Sequence, residues 1–267
     1  MLAPNAGSDR FLEVVFSDHW RSFMKRFYYW GFAALVVLIM SIAAHAGTVV
    51  GSKHDLSAVW SKDPSHSVVM NNYGEVCVYC HTPHGANTDA GAPLWNKSTP
   101  TSTYTLYSSP SMDTTTSQPR GISLVCMSCH DGIVAPDKII NAPGSGANLS
   151  GPWNGNSAAN QHWVMKNVAG HGTCNLCHDG SPGHDARGAY IGTDLRNDHP
   201  ISMSYPTPAQ DPKFVTPPDA QKGFGTIKLY QGYVECPSCH NVHDAAFNPF
   251  LRVSNSGSAL CYTCHIK

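Results

Sequence analysis

The stretch VECPSCHNVHDAAFNPFLRVSNSGSALCYTCHIK, residues 234–267, decides how the whole chain is read. It holds two copies of one pattern, Cys236-Pro-Ser-Cys239-His240 and Cys261-Tyr-Thr-Cys264-His265. Toward the N-terminus the pattern recurs as Cys77-Val-Tyr-Cys80-His81, Cys126-Met-Ser-Cys129-His130 and Cys174-Asn-Leu-Cys177-His178. These five copies use all ten cysteines of the 267-residue chain. C-x-x-C-H is the pattern of covalent haem attachment. Two thiols at that spacing reach the two vinyl groups on one porphyrin edge, and the next residue reaches the iron from one face.

Three other uses of CxxC fit less well. Zinc sites combine pairs into four-ligand sets, and five pairs would leave one over. Disulfides suit an oxidising compartment but do not require a histidine after every second cysteine. A thioredoxin-like redox site would occur once, in a βαβ setting. Five haem c groups are therefore expected, with His81, His130, His178, His240 and His265 as proximal ligands.

Outside the motifs and the N-terminal region, eight histidines remain for the opposite iron positions: His54, His66, His84, His162, His171, His184, His199 and His243. Methionine is the other common ligand and raises the potential; Met70, Met112, Met127, Met165 and Met203 are available. The surplus of histidine favours bis-histidine ligation throughout, hence low-potential, low-spin haems. His84 follows His81 by three residues, and His243 follows His240 by three. Residues three apart on a helical turn point the same way, so neither reaches the far face of its own haem. Each would serve a different haem packed alongside, the alternative being a polar surface histidine. His54, in HDLS, and His199, in NDHPIS, sit in turn-like settings upstream of a motif and complete the candidate set. His162, His171 and His184 flank the third motif and are expected to supply one ligand, with His171 chosen and the other two in reserve. His66 reads as a surface residue or hydrogen-bond partner. Only Ile266 and Lys267 follow His265, so the fifth haem's distal ligand comes from upstream or from another molecule.

Motif starts are 49, 48, 62 and 25 residues apart. Between them lie stretches rich in Ser, Thr, Gly, Asn and Pro, at 97–120, 142–161 and 205–223, which read as loops. The expected fold is a mostly irregular multihaem cytochrome c, with short helices at the CxxCH motifs, little strand, and a haem stack as its organiser. Haem faces would bury residues such as Trp95, Leu124 and Phe250. No boundary is evident within 47–267.

Residues 1–46 read as an export signal. A basic start at Met24 leads into an apolar run from Trp30 to Ile42 and an A-x-A cleavage site at Ala44 and Ala46. The run falls short of the ~20 residues needed to span a bilayer, so no membrane span is expected in the mature chain. Asp9, Glu13 and Asp18 are foreign to such a signal, which suggests Met24 as the true start. No cysteine lies at the cleavage site for a lipid anchor. The remaining chain carries 13 basic against 15 acidic residues; nothing in that balance suggests nucleic-acid binding. Charged residues are only 13% of the whole, about half the usual share.

The phrases GSKHDLS (51–57), VCVYCHTPHGA (76–86), APLWN (92–96), RGISLVCMSCHDG (120–132), IGTDLRNDHPISMSY (191–205), VECPSCHNVHD (234–244) and NPFLRVSNSGSALCYTCHIK (248–267) resemble the polymerising outer-surface cytochromes of metal-reducing bacteria, the cytochrome nanowire family of OmcE-like tetrahaem proteins. The resemblance implies head-to-tail extracellular filaments of identical subunits, with one continuous haem stack. It also implies that a histidine placed like His84 ligates the terminal haem of the adjacent subunit, which would suit the fifth haem here. The departure is the extra motif Cys174–His178, in an insert at about 142–190, which leaves open whether its haem lies on or off the main line.

The expected function is electron transfer without catalysis, passing electrons outward from redox partner proteins to metal oxides or other extracellular acceptors. A monomeric periplasmic shuttle would use the same haem chemistry. A nitrite or hydroxylamine reductase would need an open iron position, often marked by Lys in place of the proximal His; all five motifs end in His.

Overall fold

The computed structural model describes residues 48–57, 73, 75–143 and 188–266. The chain divides between Ala46 and Gly47. The signal region, the third motif with Cys174, Cys177 and His178, and the histidines His66, His162, His171 and His184 lie outside the described residues.

Among the described residues, regular elements are few and short. They are α1 (Gly121–His130), β1 (Met203–Ser204), β2 (Tyr233–Val234), α2 (Cys236–Cys239) and α3 (Ala259–Tyr262), with 3₁₀ turns at Val76–Tyr79 and Ser256–Ser258. The rest of the described chain is loop and turn, as its Gly- and Pro-rich composition predicts. Each helical piece marks a motif. His81 N, His240 N and His265 N donate to the carbonyls of Cys77, Cys236 and Cys261 at 2.8, 3.2 and 2.9 Å. One such turn sets the two thiols three residues apart on one side and the histidine directly after them.

Local chemistry explains where the elements start. Pro237 lies in the first turn of α2, where its missing N–H costs no helical bond. Glu235 and Ser238 cap that turn reciprocally. Gly91 lies against the start of α1, where a Cβ would stand 2.3 Å from Ile122 N, so only glycine fits. β1 and β2 pair antiparallel, Met203 with Val234 and Ser204 with Tyr233, which draws the loop after His199 toward the fourth motif.

The apolar core is divided and thin. One cluster joins Tyr73, Tyr79 and Ile139; another joins Tyr104, Met127 and Leu195, with Leu124 packed on its rim. Trp95 and Phe250 are buried outside both clusters. Among the described residues, side chains alone supply a small core, which leaves room for flat porphyrin faces.

Buried polar groups tie the loops together instead. Asn96, fully buried, donates from its backbone to Cys80 O at 2.8 Å and from Nδ2 to Val78 O and Asn141 O at 2.7 and 3.0 Å. Glu235, 3% exposed, accepts from Ser123 Oγ, Ser202 Oγ and Arg120 Nε at 2.5, 2.8 and 3.3 Å. Ser123 Oγ also accepts from Cys236 N at 3.0 Å, and the Arg120 guanidinium lies 3.4 Å over the Tyr233 ring. One carboxylate thus joins α1, the β1 loop and α2. Glu235→Ala strands two buried hydroxyls and a cation, and is expected to cost about 3 kcal/mol, read as a lower denaturation midpoint with haem content measured alongside.

Candidate haem-binding site

Three proximal histidines are oriented in the same way. His81 Nδ1 lies 2.8 Å from Pro93 O, His130 Nδ1 lies 2.6 Å from Ala189 O, and His240 Nδ1 lies 2.9 Å from Pro249 O. A carbonyl can only accept, so Nδ1 carries the proton and the Nε2 lone pair is left for a metal.

The first and fourth motifs are built as one repeated module. His81 bridges Trp95 and His240 bridges Leu251. Thr82 N donates to Leu94 O and Asn96 N to Cys80 O; Asn241 N donates to Phe250 O and Arg252 N to Cys239 O. Leu94 and Phe250 occupy equivalent left-handed positions, with φ of 56° and 60°. Such a φ is uncommon for a bulky residue. In each module it follows the proline whose carbonyl holds the proximal imidazole. His84 and His243 are therefore equivalent residues of two like modules.

Opposite three proximal imidazoles stands a second imidazole. Ring centroids are 6.2 Å apart for His81 and His243, 6.2 Å for His130 and His54, and 6.4 Å for His265 and His199. Two imidazoles on opposite sides of one metal, each at a metal–nitrogen distance of about 2 Å, have centroids about 6 Å apart once the ring radii are added. Among the described residues no ring faces His240, and His84 is exposed without a ring partner. The resemblance would give His265 a ligand from another subunit, but His199 already stands opposite it. Tyr205 OH, donating to Val215 O at 2.7 Å and Cys264 O at 3.2 Å, draws the 199–215 loop onto the fifth motif.

His54 is the most enclosed of the described distal candidates. Its Nδ1 is buried without a hydrogen-bond partner, and its ring meets Phe250 edge-on at 4.5 Å. Burial first, then the neighbouring His130, His240 and His243, lowers its pKa from 6.5 to about 4. The folded site therefore keeps the neutral imidazole that can ligate a metal. The unfolded chain binds more protons between those two values, so this contribution to stability is complete above pH 6.5 and is lost as pH falls toward 4. Acid titration of thermal stability is expected to show that loss, and His54→Leu should remove it.

The eight described cysteines form no disulfide. Burial pushes the Cys80 thiol up to about 12 and Cys264 to about 11. Thiols so masked are poor nucleophiles in the folded chain. Thiol neighbours also order the motifs in space. Cys80 is influenced by Cys129, Cys126 and Cys236 by one another, and Cys239 by Cys261 and in turn Cys264 by Cys239. The described attachment edges thus run first, second, fourth, fifth. Among the described residues no three His, Cys, Asp or Glu side chains converge to hold a metal unaided. Paired imidazoles beside paired thiols suit an iron whose other ligands come from porphyrin.

A family model described as a doubled CXXCH motif matches residues 231–267, covering the fourth and fifth motifs. The match, beside the repeated CxxCH pattern, points to covalent haem attachment of the multihaem c-type. No curated protein matches it. Among the described residues the fold is mostly loop with short helices and one two-stranded sheet, which is consistent with a multihaem cytochrome.

Sequence reading missed the residues that support the ligands. The carbonyls of Pro93, Ala189 and Pro249 carry no signature of their own, although the matched spacing of APLWN and NPFLR behind two CxxCHxxH motifs was a signal of the repeated module.

Proposed function

We propose that this chain holds five bis-histidine haems and conducts electrons as a subunit of a head-to-tail extracellular filament. The observation that carries the reading is the repeated module: His243 of the second copy stands 6.2 Å from His81 of the first, while His84 and His240 have no opposing ring among the described residues. Applying the same linkage between molecules puts His84 of one subunit opposite His240 of the next. Module then follows module along the fibre, inside a subunit and across each joint. A heterologous contact of this kind does not close and gives an open helix. The joint thus falls at the fourth haem rather than at the fifth.

Haem supplies a one-electron iron couple whose potential follows its axial ligands and burial. The chain's part is to hold each imidazole through its Nδ1 carbonyl, to exclude water with residues such as Trp95 and Phe250, and to keep successive haem edges close. Redox partner proteins would feed the stack and metal oxides or other extracellular acceptors would drain it. The third-motif haem, outside the first–second–fourth–fifth run, is assigned a side position for entry or exit.

His240, which no ring faces among the described residues, supports a second reading, a monomeric periplasmic cytochrome with one open iron position, which a reductase would also need. The two separate on one experiment. The intact mass of the mature protein should contain five haems, and ferric spectra should show one high-spin haem in dispersed subunits that becomes low-spin on assembly. A persistent high-spin haem in the assembled native material favours the open site, and fewer than five haems removes the count.

A further inference from the structure

The three opposed imidazole pairs differ in the angle between their ring planes. The planes of His81 and His243 are 22° apart, those of His54 and His130 57°, and those of His199 and His265 67°. Each crossed pair has a phenylalanine against one of its rings. Phe250 lies 4.5 Å from His54, edge-on, and Phe214 lies 4.5 Å from His265. Beside the near-parallel pair, Trp95 stands farther off, 6.1 Å from His81. His130 is held through Nδ1 by Ala189 O at 2.6 Å, whereas Nδ1 of His54 is buried with no hydrogen-bond partner among the described residues. Packing, not a carbonyl, therefore fixes the plane of His54. Phe250, itself 8% exposed, is the ring packed on it in the edge-to-face arrangement that aromatic pairs prefer.

We infer that Phe250 is a positioning residue that holds the His54 plane across the His130 plane, so that the second-motif iron has crossed ligands and the first-motif iron near-parallel ones. The inference rests on the bis-histidine reading. An imidazole donates π density perpendicular to its plane. Parallel planes raise one iron dπ orbital above its twin, which stabilises a ferric ion whose single vacancy lies there. Crossed planes leave the two orbitals close together, and a ferrous ion, with both filled, gains nothing from the splitting. Crossed ligation thus favours the ferrous state relative to near-parallel ligation, as axial geometry joins burial among the levers on potential. Phe250 thereby contributes a step between the first and second haems of the run.

Electron paramagnetic resonance of the ferric holoprotein reads this angle. Near-parallel ligation gives a rhombic low-spin signal, and crossed ligation a more anisotropic one with a larger maximum g value. The native protein is compared with its His54→Ala, His243→Ala, Phe250→Leu and Phe250→Tyr variants, with haem content measured on each. Leucine suits the backbone, because Leu94 occupies the equivalent left-handed position, and it removes the ring. His54→Ala is expected to abolish one large-g component and His243→Ala the rhombic one. Phe250→Leu should stay low-spin while the same large-g component moves to smaller g, and Phe250→Tyr, which keeps the ring, should leave it in place. An unmoved component in Phe250→Leu, its conversion to high spin, loss of haem, or an equal movement in Phe250→Tyr would overturn the inference. No loss of low-spin signal in His54→Ala would instead defeat the bis-histidine reading on which it stands.

Discussion

His84→Ala is expected to leave every haem attached and to abolish filaments. His84 is exposed and anchors no described side-chain contact; the adjoining loop is held by its backbone carbonyl, which accepts from Thr82 Oγ1 at 3.0 Å and Asn141 Nδ2 at 2.9 Å. Both bonds survive truncation of the imidazole, so the subunit should fold as before. The joint loses its iron–histidine bond. Even if that bond contributes only ~4 kcal/mol net, each joint weakens about a thousandfold, and the concentration needed for growth rises by the same factor. Electron micrographs and sedimentation would read the loss of fibres. Ferric spectra would read the retention of one high-spin haem per subunit at any concentration. His243→Ala is the contrasting case: it opens the iron facing His81 within one subunit and should give a high-spin haem even where fibres persist.

The second large effect is expected for His54→Ala. Opposite His130, His54 is the enclosed distal candidate, and truncating it removes a ligand and a packed ring together. In assembled filaments, where the His240 iron is already ligated, the second-motif haem should turn high-spin and, once reduced, bind carbon monoxide in a stoichiometry of one per subunit. Loss of the ring against Phe250 should add a destabilisation of about 2–3 kcal/mol. Magnetic circular dichroism and carbon monoxide titration measure the first effect and chemical denaturation the second. A variant that stays low-spin and binds no carbon monoxide would remove His54 from the ligand set.

Much of this molecule was legible from its cysteines. CxxCH specifies a helical turn because attachment needs that turn, so the helices at Cys126–His130 and Cys236–His240 were readable. The composition between motifs gave loops for a related reason: Gly, Pro and Ser offer no apolar face to bury. The opposing imidazoles were only partly legible. His54 and His199 were named from their turn-like settings, but nothing in the text placed His54 opposite His130 rather than another iron. That choice depends on Phe250, almost two hundred residues away, and on how the loops close over it. The fifth proximal histidine shows the same limit. The sequence left its partner open, and the approach of His199 to it goes with Tyr205 drawing the 199–215 loop onto Cys264. Buried Asn96 and Glu235 look like ordinary loop residues in sequence, because their roles lie in partners distant along the chain. The Pro93–Leu94–Trp95 and Pro249–Phe250–Leu251 turns were visible as phrases. Their equivalence appears only when both carbonyls are seen holding a proximal imidazole.

The most direct test of the whole reading is an electron cryomicroscopy map of haem-containing material sheared from intact cells. The account predicts uniform filaments of this chain with five haems per subunit. At each joint, His84 of one subunit should stand on the iron held by His240 of the next, while His265 is paired with His199 inside its own subunit. Discrete particles under native conditions, or filaments in which the His240 iron takes its second ligand from its own chain, would contradict it.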